Sequence, residues 1–227
     1  MGINCLDHQA TINAACHRLT ALSHELISRA RAGDDHASYI ARLVRRYEEM
    51  GLQDEQALVD LIVISIFGGV DTTRSQLGFA MALFADHKDQ WQALCAGPSL
   101  CPQSIEEIIL AWPTTTWSTR EAVEGFVFQG VEIKQGTTLH MLVHSSARDP
   151  QVCEELTFNI LAPRKRHFGF GGAAHHCIGH YVARTDMASA LRALGCILDD
   201  FDVGAARYLP DSGNTSPISL PLTYRVR

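Results

Sequence analysis

Cys177 stands between a glycine-rich run and an expected helix start, in Phe170-Gly171-Gly172-Ala173-Ala174-His175-His176-Cys177-Ile178-Gly179. A cysteine that ligates a metal must stay ionised. The positive end of a helix and backbone N–H groups aimed at sulfur lower the cost of that charge. Glycines in the preceding loop let the backbone approach a flat ligand more closely than any side chain would allow. These residue types point to a thiolate ligand at Cys177, and equally to a packed cysteine at a helix N-terminus. A zinc site from His175, His176, Cys177 and His180 is a third reading. Adjacent ligands on one tight loop suit tetrahedral zinc poorly, and no carboxylate base is placed beside them.

A second chemical run, Phe67-Gly68-Gly69-Val70-Asp71-Thr72-Thr73, falls inside a long helical pattern. Each interior glycine costs a helix roughly 1 kcal/mol relative to alanine. One account is that the helix opens here, freeing carbonyls for a small ligand and water. Asp71 would then be an ionisable acid beside a hydroxyl, Thr72, able to relay a proton. The other account is close helix packing at Gly68-Gly69, with Asp71 solvated and Thr72 bonded back to a carbonyl. The run alone leaves both open.

Helical spacing predicts the elements that position these runs. Helices are expected over about 6–32, then to about Met50, then from a cap at Asp54 to about Ala85. Shorter ones are expected near 87–96 and 103–112, and a last one over about 178–199. Short strands are read at 126–128, 130–133 and 138–143, with a closing strand at 219–226 and a long loop at 149–176. The chain is read as mainly α with a small β portion, one domain over 1–227.

Composition narrows the function classes. With 227 residues, 46% hydrophobic, the chain can bury a core, and a net charge of −6 argues against nucleic acid as the main partner. The nearly apolar stretch 58–70 is interrupted by Asp60 and Ser65, too short and polar to span a bilayer. Seven scattered cysteines without a C-x-x-C pair, and no visible secretory signal, fit a reducing cytoplasm.

The run from Arg166 to Arg184 resembles the haem-binding loop and following helix of cytochrome P450 monooxygenases, F-G-x-G-x-H-x-C-x-G followed by L-A-R. Ala173 replaces the second glycine and Val182 the leucine. Gly68–Thr73 resembles the same family's oxygen-activating motif, [A/G]-G-x-[D/E]-T-T. Arg120-Glu121-Ala122, Arg148-Asp149-Pro150 and the tail 211–221 match its R-x-A, R-D-P and final hairpin. The resemblance implies the C-terminal half of a cytochrome P450 fold, truncated, with haem b as cofactor and Cys177 as its proximal ligand. It implies haem contacts from Phe170, Gly171 and Gly179, and propionate binding by Arg120 and His175. It also implies proton delivery by Asp71 and Thr72, and substrate contacts from Ile64, Phe67, Gly68, Thr115, Thr116 and Trp117. The implied reaction inserts one atom of O2 into an apolar organic substrate, with electrons from a ferredoxin- or flavodoxin-type donor. Arg164-Lys165-Arg166 is a candidate docking face for such a donor.

Two departures qualify this. Leu110 stands where the family's E-x-x-R helix, here starting at Glu107, carries arginine, and Ala162 stands where a second arginine is expected. A buried Glu107 without a cation must find another partner, and the loop carrying Cys177 is expected to lose part of its scaffold. The match also leaves the family's N-terminal half without a counterpart, so one side of a haem pocket is expected to be open, with apolar surface inviting self-association. The alternative function is a truncated, non-catalytic haem-binding relative or one piece of a split protein.

Overall fold

The computed structural model describes residues 8–34, 36–151, 157–163 and 167–227. Helix α1 (Gln9–Ala32) stops at Gly33, whose φ of +84° lets its N–H and that of Asp34 bond back to Ala30 and Arg29. Helix α2 (Tyr39–Glu49) starts where the Ser38 hydroxyl accepts the Ala41 N–H at 3.1 Å. Helix α3 (Glu55–Asp86) starts after Asp54, whose carboxylate accepts the Ala57 N–H at 3.1 Å. That is the capping role its sequence position predicts, worth about 1 kcal/mol.

The chain divides into two compact units, and the division falls inside α3: Ile3–Asp71, and from Thr72 to Arg227. In the first unit, Ile27 of α1, Val44 and Tyr47 of α2, and Leu58, Val59 and Ile62 of α3 form one buried cluster. The Tyr47 hydroxyl donates to the Asp54 carbonyl at 2.9 Å. Helix α3 is, by length and composition, apolar enough to cross a membrane. That differs from the expectation drawn from 58–70 alone, because the helix runs on past Asp71 to Asp86, and 17% of its apolar 18-residue window is buried.

The second unit is built on α4 (Lys88–Ala96), α5 (Cys101–Ala111) and α7 (His180–Ile197), with the C-terminal part of α3. Trp91 of α4 lies at its centre, edge-on to Phe84 at 5.4 Å and to Phe201 at 5.1 Å between ring centroids. Around it pack Ile105 and Ile108 of α5 and Met187 and Leu191 of α7. Among the described residues, the β portion is four two-stranded antiparallel sheets. Strand β1 (Trp117–Glu121) pairs with β4 (Thr138–Leu142), and β2 (Phe126–Phe128) with β3 (Val131–Ile133) through a turn in which Gln129 and Gly130 both have positive φ. Strand β5 (Leu198–Val203) pairs with β8 (Leu222–Val226), and β6 (Arg207–Tyr208) with β7 (Pro217–Ser219).

Two elements differ from the expected layout. The last helix ends at Ile197, and Leu198–Val203 continues as strand β5. The apolar run Ile197-Leu198 suits either period, and β8 decides the matter by supplying the strand's hydrogen-bond partner. After β4 the chain turns into a short helix, α6 (Val143–Ala147), with the N–H groups of Val143 and His144 bonded to the Thr116 carbonyl.

Candidate functional site

The loop before α7 is shaped residue by residue. The Gly171 N–H bonds to the Phe168 carbonyl at 2.7 Å, and Gly171 has φ +71°. A Cβ there would stand 3.0 Å from the His175 carbonyl oxygen, so glycine is the residue this turn accommodates. Ala173 also adopts a left-handed conformation, φ +52°, which costs an alanine about 1–2 kcal/mol. A short 3-10 turn, Ala173–His175, follows, and the Cys177 N–H then bonds to the Phe170 carbonyl at 2.8 Å. Gly179 caps α7, and Cys177 is exposed two residues before it. The packed-cysteine reading therefore fails for Cys177. It suits Cys101, which is fully buried and whose thiol burial pushes up in pKa. Among the described residues, no three His, Cys, Asp or Glu side chains converge as a metal-holding group.

The scaffold under this loop differs from the expected one. Glu107 is 1% exposed and its carboxylate accepts the Asn159 N–H at 2.8 Å, so it stays buried on a backbone donor. Its neighbour Glu106 takes the cation. Arg184 of α7 meets Glu106 with two parallel bonds, 2.6 Å from Nε to Oε1 and 3.0 Å from Nη2 to Oε2. His167 Nε2 lies 3.1 Å from Glu106 Oε2, and the Gly169 N–H donates to His167 Nδ1 at 3.0 Å. An amide N–H can only donate, so Nδ1 is the acceptor and Nε2 carries the proton given to Glu106. Sequence reasoning missed Glu106, His167 and Arg184. The signal was present in two adjacent glutamates on α5 and an arginine one turn after His180, but spacing could not say which carboxylate turns toward the loop.

Burial would raise the pKa of Glu106, but the hydrogen bonds from His167 and Arg184 and the Arg184 charge outweigh it and hold the carboxyl at about 2. A depressed folded value means that the stabilisation is complete above the ordinary value of 4.5 and disappears as pH falls toward about 2. The side chain is 36% exposed, so solvent screening reduces the contribution to about 1–2 kcal/mol. Glu106→Gln is therefore expected to unfold more easily than the parent at neutral pH. Denaturant titrations should show that difference closing as pH drops below 4.5; a pH-independent gap would contradict the ionic origin.

The other residues singled out by sequence fall as follows. Arg120 is exposed on β1, opposite Leu139, and its Nη1 donates to the Thr119 carbonyl at 2.8 Å. His175 is exposed at the end of the 3-10 turn. Asp71 and Thr72 are half-buried on α3, and Thr114 Oγ1 lies 3.5 Å from the Thr72 carbonyl. Helix α3 is α-helical through Gly68-Gly69, and a Cβ built at either would meet no described atom within 4 Å beyond the helix's own backbone and the glycine's chain neighbours. Ile64, Phe67 and Gly68 are exposed on the same helix. Thr116 is buried with its hydroxyl donating to Asp211, Thr115 donates to Asn214 at 2.9 Å, and Trp117 stands edge-on to His140. Arg164-Lys165-Arg166 lies outside the described residues.

No family model matches the chain. Luteothin monooxygenase of Streptomyces thioluteus is 36% identical over 196 residues, spanning 85% of this chain and 47% of that protein. Steroid C26-monooxygenase of Mycobacterium tuberculosis is 31% identical over 173 residues, 75% of this chain and 36% of the relative. The solved structure of CxnD, a cytochrome P450 enzyme for C–S bond formation in chuangxinmycin biosynthesis, matches with a TM-score of 0.85 at 28% identity. It covers 94% of this chain and 54% of that one. The chain thus spans less than half the length of these two curated relatives. Sequence similarity and backbone likeness agree with the cysteine loop, and the chain belongs to the cytochrome P450 family and shows part of its fold.

Proposed function

We propose that this chain carries the haem-thiolate site of a monooxygenase that inserts one atom of O2 into an apolar organic substrate. The observation that carries the reading is Cys177, exposed on a glycine-bearing turn with its N–H tied to Phe170, directly before the capped start of α7. The turn fits a flat cofactor. A Cβ at Gly179 would stand 3.9 Å from Cys177 Sγ, so glycine there keeps side-chain bulk away from the sulfur. Haem b, when bound, supplies the O2 chemistry. In this reading Cys177 holds it as thiolate, with Phe170, Gly171 and Gly179 forming the loop against it. Arg120 and His175 offer cationic or hydrogen-bonding groups to its carboxylates. Asp71 and Thr72 move a proton, and Ile64, Phe67, Gly68, Thr115, Thr116 and Trp117 contact substrate.

The electron donor is a ferredoxin- or flavodoxin-type protein, met at a face that includes Arg164-Lys165-Arg166, and the place of action is the cytoplasm. The exposure of Ile64, Phe67 and Val70 on α3 favours a second reading, a haem-binding chain that associates through this surface and does not turn over alone. The test is the visible spectrum of the purified chain after haem loading, reduction and exposure to CO. A strongly red-shifted Soret band is expected; a band typical of neutral nitrogen or thiol ligation would overturn the haem-thiolate reading. Product formation with a surrogate electron donor then separates the first reading from the second.

A further inference from the structure

Residues 167–184 form one segment that enters from a loop, carries Cys177 and continues into α7. Its two ends meet at a single carboxylate. At the leading end, His167 bonds Glu106 through Nε2 and receives the Gly169 N–H on Nδ1. His167 is 5% exposed, so this link is shielded from water. At the trailing end, Arg184 grips both oxygens of Glu106. Arg184 also places its guanidinium carbon 4.3 Å from the centre of the Phe170 ring and its Nη1 2.8 Å from His180 Nδ1. Phe170 in turn accepts the Cys177 N–H. Two routes of contact therefore run from Glu106 to the cysteine loop, one through His167 and Gly169 and one through Arg184 and Phe170. Leu110 is apolar and buried, and Glu107 holds the Asn159 backbone.

We propose that Glu106, His167 and Arg184 form a clamp that closes the segment into a loop and fixes the position of the Cys177 sulfur. They are positioning residues, acting through Phe170 and Gly169. Leu110 and Ala162 stand where the resemblance implies arginines, and the clamp ties α5 to the loop through Glu106. Its value for cofactor binding rests on the function proposed above; the clamp itself does not. A bidentate, charge-assisted pair that is partly shielded is strong enough to govern local opening of the loop.

The test is amide hydrogen exchange of the full chain, read by mass spectrometry in peptides covering 168–180 and, as an internal reference, β5 and β8. Glu106→Ala and Arg184→Ala are each expected to speed exchange in 168–180 by about tenfold to a hundredfold, with the reference strands unchanged. The double variant should exchange about as fast as Glu106→Ala, which already removes the Arg184 link together with the His167 one, while Arg184→Ala alone leaves the His167 link in place. Arg184→Lys, which keeps the charge but loses the fork, should fall between parent and Arg184→Ala and serves if the alanine variants fail to fold. Unchanged exchange in the loop, or an equal rise in the reference strands, would overturn the clamp. After haem loading, the same variants should convert part of the red-shifted CO band to an unshifted one. A parent chain without that band would sink the haem reading, while the exchange data still decide on the clamp.

Discussion

Cys177→Ala is expected to fold like the parent and to lose the strongly red-shifted CO band completely. The two halves of this expectation have separate causes. Cys177 is exposed, so removing its sulfur opens no cavity, and surface changes of this kind shift stability by within about 0.5 kcal/mol. Thiolate ligation, by contrast, depends on that one atom. Cys101→Ala is the informative control. Its sulfur is fully buried in the core with Trp91 and Leu191, so the substitution should lower stability and leave the ligation signature in place. A red-shifted band that survives Cys177→Ala would remove the ligand assignment and send it to another thiol, of which Cys16 and Cys196 are exposed.

Gly169→Ala should cost about 1–3 kcal/mol of stability, large for the addition of one methyl group. A Cβ at Gly169 would stand 2.3 Å from Cγ2 of Ile109 and 3.1 Å from Nδ1 of His167. Neither neighbour yields easily. Ile109 is buried in the core of the second unit and its Cγ2 is a branch methyl fixed at χ1. His167 is held by Glu106, and the Gly169 N–H is itself bonded to that ring. The loop must move to admit the methyl, and the Gly169 bond is the first to stretch. The decisive measurement is a double-mutant cycle with Ile109→Ala by chemical denaturation. Relief of the clash makes the double variant more stable than the sum of the two single losses predicts; strict additivity would show that the backbone shifts freely.

Much of the architecture was legible because its causes are local. Asp54 caps α3 by the Asp preference for that position, and β2, β3 and β4 follow short apolar runs separated by Gly130 and Gly136. The cysteine loop was legible as a motif, since glycine placement reflects backbone geometry. What stayed hidden was decided by partners distant in sequence. Strand β5 exists because β8 returns beside it. The choice of Glu106 over Glu107 as the partner of Arg184 depends on how α5 is rotated against α7. No count of residues along the chain records that rotation. Glu107 illustrates the same point from the other side: its carboxylate accepts a backbone N–H from Asn159, 52 residues further along the chain.

Ala173 gives the turn before Cys177 an origin outside its own sequence. An alanine left to itself avoids φ +52°, so the residue that stands at the centre of the bend votes against it. The conformation is imposed by what frames it: the 3-10 turn, the Phe170–Cys177 bond and the segment's two tethers at Glu106. A synthetic peptide of residues 168–180 would therefore relax into an ordinary extended ensemble. Shape here is a loan from the surrounding protein, and any ligand that recognises the turn is reading the assembled unit and not the motif.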